Sequence, residues 1–293
     1  GLTHPLEAEL ARRIAEAVPS VEQVRFTTSG TEACLTAVRL ARGATKRSKI
    51  LVFDGCYHGH GESLIAHHGA GSPTALMAEG LRVPYHDLPA AQRVIAQHGE
   101  ALACVILEPV AANIGVIAPT AGYLQRLREL TRAHGVLLIF DEVVTGFRLG
   151  RGGAQARFGV TPDLTTFGKI IGGGLPIGAV GGPRRLMRHL APEGHVFHGG
   201  TFAGHPLAMA AGIATLDALK TDPPYARLEQ AGVSLTRELE RAATAAGVPV
   251  QINRAGSMLT VFFSKTPVRN AAEARASDRE AFARWAHALR RQG

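Results

Sequence analysis

Short apolar runs alternate with amphipathic stretches through much of the chain. The apolar runs predict buried strands at 50–53, 104–107, 136–140 and 177–180, and the run at 136–140 is the most apolar of them. Between the runs, apolar residues recur at helical spacing, as at Leu124, Leu127 and Leu130 in a predicted helix over 123–133. Such alternation is typical of an α/β fold with a mostly parallel sheet covered by helices.

The pattern changes beyond residue 206. A long helix is predicted from Pro206 to about 219, followed by helical segments over 225–246. Two strands, at 250–252 and 259–263, and a last helix over 278–291 then predict a smaller α+β unit. We therefore divide the chain into a large α/β domain over 1–219 and a smaller C-terminal α+β domain over 220–293; the resemblance given below implies that the first lacks its N-terminal segment and that the second is partial.

Composition places the chain among ordinary globular proteins. Hydrophobic residues make up 46% and charged residues 19%, and no apolar run reaches the roughly 18 residues of a membrane span. The first residues have neither the basic head nor the apolar run of a signal peptide. The cysteines, Cys34, Cys56 and Cys104, are odd in number and far apart, which favours a reducing cytosol over a disulfide framework. We expect a cytoplasmic protein.

Among the features of the composition, the net charge of +8 says most about which ligands or macromolecules the protein binds. Because the arginines are dispersed and aromatic residues make up only 5%, nucleic-acid binding is not expected. An anionic ligand explains some of the charge, and a solvated basic surface is the alternative. The histidine pairs His58/His60 and His195/His198 have no cysteine or carboxylate at a zinc-site spacing, so no metal is predicted.

Polar residues directly follow several predicted strands. In parallel α/β sheets, ligands bind beyond these carboxyl ends of the strands. Glu108 and Asp141 each come directly after an apolar run, and the turn Ser29-Gly30-Thr31 opens a helix that continues through Arg42. The N–H groups at a helix start attract anions, and glycine lets a phosphate approach closely. The alternative for this turn is a simple helix cap.

Lys169 is a lone cation between an apolar segment and the glycines Gly172, Gly173 and Gly174. A buried lysine has a lowered pKa and becomes an amine nucleophile. The alternative is a lysine whose stem packs while its head reaches water. An amine nucleophile forms a Schiff base with the cofactor pyridoxal phosphate (PLP), whose chemistry also needs a carboxylate that keeps the ring nitrogen protonated. Asp141 is a candidate for this carboxylate, and the alternative is an aspartate that caps the next element.

Ordered segments over nearly the whole chain resemble the class III aminotransferases, a branch of the type I fold of PLP-dependent enzymes. Within that class they look most like the glutamate-1-semialdehyde 2,1-aminomutases. The segments are Ser29-Gly30-Thr31-Glu32-Ala33, Gly55-Cys56-Tyr57-His58-Gly59-His60, Glu108-Pro109-Val110-Ala111, Phe140-Asp141-Glu142-Val143, Gly168-Lys169-Ile170-Ile171-Gly172-Gly173-Gly174 and Pro267-Val268-Arg269-Asn270.

The resemblance implies a role for each matched position. Lys169 and Asp141 match the catalytic pair, the lysine that holds the cofactor and moves protons and the carboxylate on the ring nitrogen. The other implied cofactor-binding residues are Ser29, Gly30 and Thr31 at the phosphate, Tyr57 and Val143 on the two ring faces, Glu108 and Asn113 near the ring hydroxyl and substrate, and Thr201. Thr201 matches a threonine that reaches the phosphate of the neighbouring subunit, which implies a homodimer.

The chain departs from the family pattern in three places, so the sequence leaves more than one function to consider. Both ends of the family's chain are absent, the segment 63–83 is shorter than the aminomutase's mobile lid, and Phe202-Ala203-Gly204-His205 replaces the usual leucine-serine-glycine-asparagine. The expected function is the conversion of glutamate 1-semialdehyde to 5-aminolevulinate for tetrapyrrole synthesis. The alternatives are an intermolecular aminotransferase for an amino acid, amine or amino sugar, and an inactive or truncated PLP-binding homologue.

Overall fold

A mixed sheet forms the centre of the computed structural model, which describes residues 3–65 and 71–292. Within those ranges seven strands lie in the order β1-β7-β6-β5-β4-β2-β3. Strands β2 to β6 pair in parallel, whereas β7 is antiparallel to both β6 and β1. The strands are β1 (Gln23–Thr27), β2 (Lys49–Asp54), β3 (Gly80–Pro84), β4 (Leu102–Leu107), β5 (Leu137–Asp141), β6 (Leu164–Gly168) and β7 (Gly178–Gly182).

Helices connect the strands and cover both faces of the sheet. The chain begins with α1 (Pro5–Ala17), and the predicted helices are confirmed as α2 (Gly30–Thr45), α5 (Tyr123–Ala133), α8 (Pro206–Thr221), α9 (Tyr225–Ala245) and α11 (Arg279–Arg290). The others are α3 (Thr74–Met77), α4 (Leu88–His98), α6 (Gly153–Phe158), α7 (Arg184–Met187), α10 (Ala271–Ala276) and the 3₁₀ turn Lys169–Gly172. The α/β class predicted from the pattern is confirmed.

Alternate side chains along each strand point to opposite faces of the sheet, and they divide the core into two layers. Phe53, Leu107 and Phe140 pack with helices α4 and α5 on one face of the sheet. Their immediate neighbours Val52 and Ile106 pack against α2 on the other face. Because successive strand side chains point to opposite faces, strands that are covered on both faces read as continuous apolar runs.

The C-terminal part contains a hairpin of β8 (Gln251–Ala255) and β9 (Met258–Phe262) beside α9. The two predicted strands are therefore confirmed. The proposed boundary between residues 219 and 220 falls within the last turn of α8, and it stays a prediction. No helix in the described ranges combines the length and the apolar character that crossing a membrane requires.

Candidate functional site

Six strand ends meet at one edge of the sheet. Strand β1 runs in the same direction as β6, because β7 is antiparallel to both, so its carboxyl end joins those of β2 to β6. A cavity of about 610 Å³ lies there. This is where a parallel α/β sheet binds its ligands.

The cavity brings together nine of the ten residues that the sequence singled out. Its lining includes Ser29, Gly30, Thr31, Tyr57, Glu108, Asn113, Asp141, Val143 and Lys169. Thr201 does not line it. That residue is exposed and lies four positions before His205, the N-cap of α8, so it does not cap this helix.

The start of α2 forms an anion-binding corner of the cavity. Ser29 is the N-cap, and its side chain accepts a hydrogen bond from the Glu32 N–H at 3.3 Å, which leaves its hydroxyl proton available to a ligand. The N–H groups of Gly30 and Thr31 begin the helix and have no acceptor in a preceding turn. A Cβ atom on Gly30 would lie 2.9 Å from Val143 Cγ1, so glycine permits this close approach.

Asp141 is the last residue of β5 and is 4% exposed. Burial alone would raise its pKa, but the hydrogen bond and charge of His58, the Val143 N–H and the Cys34 thiol reverse the effect, so the pKa lies below its usual value. The distance from His58 Nδ1 to Asp141 Oδ2 is 2.6 Å. The cavity therefore contains one buried carboxylate that stays ionised.

Glu108 follows β4 and is the second buried carboxyl group of the cavity. Its Oε1 accepts from the Tyr57 N–H at 2.9 Å, and its Oε2 accepts from the N–H groups of Ala112 at 2.9 Å and Asn113 at 3.3 Å. Burial, and next the negative charge of Asp141, raise its pKa from 4.5 to about 7. Two carboxyl groups in one cavity thus have pKa values shifted in opposite directions, a pattern typical of acid–base sites.

The raised pKa of Glu108 predicts a pH dependence for the cofactor-free protein. The folded state binds this proton more tightly than the unfolded chain does. The resulting stabilisation is fully present below about pH 4.5 and is lost as the pH rises through about 7, by at most about 3 kcal/mol. Glu108→Gln cannot titrate, so we expect the stability of the wild type, measured by urea denaturation relative to this variant, to fall between about pH 4.5 and pH 7. Parallel pH profiles for the two proteins would contradict the assignment.

Lys169 begins the 3₁₀ turn directly after β6 and lines the cavity. The premise that it is buried is wrong, because its side chain is exposed to the open cavity instead of being packed among apolar groups. Its backbone has φ +47°, in the left-handed region that favours glycine. Backbone strain of this kind persists where the surrounding structure imposes it, often at functional sites.

Three residues that contact Asp141, namely His58, Cys34 and Thr166, are absent from the predicted site residues. In the sequence, His58 is considered only as a metal ligand, which is rejected, and Cys34 only as a thiol compatible with a reducing cytosol. Cys34 lies four positions after Gly30 on the same face of α2, and this spacing is the signal that could have found it. Ligand atoms of Cys34, His58 and Asp141 lie within 4.8 Å of one another. We interpret them as a hydrogen-bonded set, because 2.6 Å between His58 and Asp141 is a hydrogen-bond distance.

The family model for class-III aminotransferases matches residues 1–293 of this chain. The chain belongs to the class-III aminotransferase family. It is 52% identical to a glutamate-1-semialdehyde 2,1-aminomutase from Thermomicrobium roseum and 49% identical to one from Sulfurihydrogenibium azorense. Each match covers 100% of this chain and 71% of the relative.

Solved structures of class-III aminotransferases share the fold. An omega-transaminase from Sphaerobacter thermophilus has a TM-score of 0.89 at 38% identity, over 94% of this chain and 67% of that chain. A glutamate-1-semialdehyde aminomutase from Pseudomonas aeruginosa has a TM-score of 0.81 at 28% identity, over 94% and 65%. The fold is the type I fold of PLP-dependent enzymes, and class-III aminotransferases use pyridoxal phosphate.

Proposed function

We propose that this class-III aminotransferase is a glutamate-1-semialdehyde 2,1-aminomutase. The identity of 49–52% over the whole chain to enzymes of that name carries the proposal. The reaction moves an amino group between adjacent carbons of one molecule. Substrate and 5-aminolevulinate are isomers, so no external amino donor is consumed.

The side chains of the cavity fit the cofactor. The donor groups of Ser29, Gly30 and Thr31 suit a phosphate, and the ionised carboxylate of Asp141 suits a ring N–H. We assign the two faces of the ring to Tyr57, which is 55% exposed, and Val143. Lys169 supplies the amine that holds the cofactor covalently.

Pyridoxal phosphate, when bound, supplies a carbonyl group that condenses with amines and a ring that withdraws electrons from the neighbouring carbon. The protein's part is to position groups and move protons. Lys169 Nζ would take a proton from one substrate carbon and return it to the next, and its exposed side chain in the cavity lining leaves the amine accessible for this role. Asp141 would hold a proton on the ring nitrogen, because its lowered pKa keeps it ionised. Glu108 holds the backbone N–H groups of Tyr57 and Asn113, which fixes two walls of the site.

Incubation of the full-length enzyme with glutamate 1-semialdehyde tests this function. An aminomutase forms 5-aminolevulinate without any added amino donor or acceptor. An intermolecular aminotransferase needs an added partner and releases a keto product. A protein that forms neither product and shows no cofactor absorption would be a non-catalytic homologue.

The intermolecular alternative has support of its own. A β-phenylalanine aminotransferase from Variovorax paradoxus has a TM-score of 0.87 at 38% identity, above the values for the aminomutase structure. The alignment with the Sulfurihydrogenibium azorense enzyme spans 304 positions, whereas this chain has 293 residues, so it carries gaps in this chain. A shorter lid segment over 63–83 would let the keto product escape; residues 66–70 of it lie outside the described ranges.

Assembly as a homodimer is part of the proposal. Large apolar side chains around Thr201 are exposed, namely Phe197 (69%), Phe202 (64%) and Leu207 (62%). A cluster of this kind is typical of an interface. A second copy of this chain would cover it and bring Thr201 to the phosphate in the neighbouring site. We also place the enzyme in the cytoplasm, where its three buried free thiols are compatible with the reducing conditions.

Thr201→Ala should weaken cofactor retention without lowering stability. A lost hydrogen bond to a phosphate costs about 1.5–3 kcal/mol, which corresponds to roughly ten- to hundredfold weaker PLP binding. Sedimentation with absorbance detection of the cofactor measures both binding and assembly. Thr161→Ala, at another exposed threonine, is the control and should retain PLP. A monomer that keeps its cofactor would contradict the shared site.

A further inference from the structure

Four hydrogen-bond donors from separate parts of the chain surround the carboxylate of Asp141. Its Oδ1 accepts from the Thr166 hydroxyl at 3.0 Å and the Val143 N–H at 3.1 Å. Its Oδ2 lies 2.6 Å from His58 Nδ1 and 3.3 Å from Cys34 Sγ. Thr166 and Val143 belong to the same sheet edge as Asp141 itself, whereas His58 comes from the loop after β2 and Cys34 from α2.

The contact with His58 defines which ring nitrogen carries a proton. An ionised carboxylate can only accept hydrogen bonds, so Nδ1 is the protonated nitrogen. The ring is 1% exposed, and its Nε2 has no hydrogen-bond partner among the described residues. Burying an unpaired polar atom costs free energy, and the hydrogen bond to Asp141 is the polar contact that offsets it.

Cys34 contacts the same oxygen from helix α2. Burial, and next the charge of Asp141, raise the pKa of its thiol well above the usual value, so it stays protonated and donates. Gly30, in the anion-binding corner, lies one helical turn before Cys34 on α2. One rigid helix therefore joins the groups that face a phosphate to a group that holds Asp141.

We propose that His58 and Cys34 are positioning residues, which fix the plane of the Asp141 carboxylate so that its remaining acceptor sites face the ring nitrogen of the cofactor. The inference rests on the proposed function. The other ionisable side chains of this cavity are Glu108 and Lys169, together with Tyr57. Glu108 is the one whose charge couples to Asp141, so it stays unchanged in every variant below.

Matched substitutions separate the hydrogen bonds from packing. The amide of His58→Asn keeps a donor near the position of Nδ1, whereas His58→Leu removes it. Cys34→Ser keeps a donor, whereas Cys34→Ala removes it. Cys104→Ala is the control, because Cys104 is an equally buried thiol whose pKa responds to burial and to Arg42 but not to Asp141.

The first readout is a pH titration of the visible absorption of the PLP-loaded enzyme, with PLP affinity measured in parallel. We expect His58→Leu to shift the titration of the bound cofactor by about one pH unit and to weaken PLP binding about tenfold or more. Cys34→Ala should give a smaller shift in the same direction, and His58→Asn and Cys34→Ser should largely restore the wild-type values. Equal behaviour of the donor and non-donor variants would overturn the proposal.

The second readout needs no cofactor and distinguishes failure of this inference from failure of the proposed function. The lowered pKa of Asp141 gives stability that is present above about pH 4 and is lost as the pH falls through the folded-state pKa. Without His58 that pKa rises, so acid unfolding of the cofactor-free His58→Leu protein should begin at higher pH than in the wild type and in Cys104→Ala. An unchanged acid midpoint refutes the coupling to Asp141. A shifted midpoint in a protein that binds no PLP refutes the proposed function while supporting the hydrogen bond.

Discussion

Lys169→Ala should abolish covalent attachment of the cofactor and lower turnover by on the order of 10²–10⁴ or more, the usual contribution of a proton-transferring group. The fold should survive, because the side chain is exposed and the described residues contain no carboxylate in ion-pair contact with it. Alanine and lysine also have similar difficulty with φ +47°, so the substitution adds little backbone strain. Spectroscopy of the bound cofactor and a turnover assay measure the two effects.

The chain offers a close control for this variant. Lys46 is also exposed and also left-handed, with φ +59° at the C-cap of α2. Lys46→Ala should leave both the cofactor link and turnover unchanged. If Lys169→Ala kept near-normal turnover, the role of this lysine would be wrongly assigned.

Asp141→Asn should retain most of the fold but lose most activity, by about a hundredfold or more, which corresponds to roughly 3 kcal/mol. An amide cannot stabilise a protonated ring nitrogen as a carboxylate does. The NH₂ group of the new asparagine would also face hydrogen-bond donors from Cys34, His58, Thr166 or Val143. Because two facing donors cannot pair, the unfolding free energy should fall by about 1–3 kcal/mol. Steady-state kinetics and urea denaturation separate the two losses.

Asp163→Asn is the matched control for a lost carboxylate. Asp163 accepts hydrogen bonds from Arg128 at 2.7 Å and from the Leu138 N–H at 2.8 Å, away from the cavity lining. Its substitution should lower stability with cofactor binding unchanged. Near-normal turnover in Asp141→Asn would contradict the proposed contact with the ring.

The parts of the fold that the sequence predicted correctly are those with strong, continuous signals. Strand β4 is fully buried, and β5 nearly so, which makes both read as unbroken apolar runs. Since parallel strands place their carboxyl ends at one edge, the sequence alone could assign Glu108 and Asp141 to a common site. Strands β1, β3 and β6 were missed. The edge strands β1 and β3 are only partly buried, and β6, although buried, contains two threonines and a glycine among its five residues.

The sequence predicted the residue types of the candidate site better than their burial and their contacts. The sequence left open whether Lys169 is buried or reaches water, and the structure shows its side chain exposed where the end of β6 opens into the cavity. The contacts of His58 and Cys34 with Asp141 join residues 83 and 107 positions apart in the chain. Local sequence pattern carries no information on such pairs. The domain boundary, the dimer and the residue roles stay predictions.

The most direct measurement of the central claim is the site of covalent attachment in the wild-type protein. The PLP-loaded enzyme is reduced with borohydride, digested and analysed by mass spectrometry. Our account predicts a phosphopyridoxyl group on Lys169, in the peptide that follows β6. An adduct on Lys46 or Lys49 with Lys169 unmodified would contradict it.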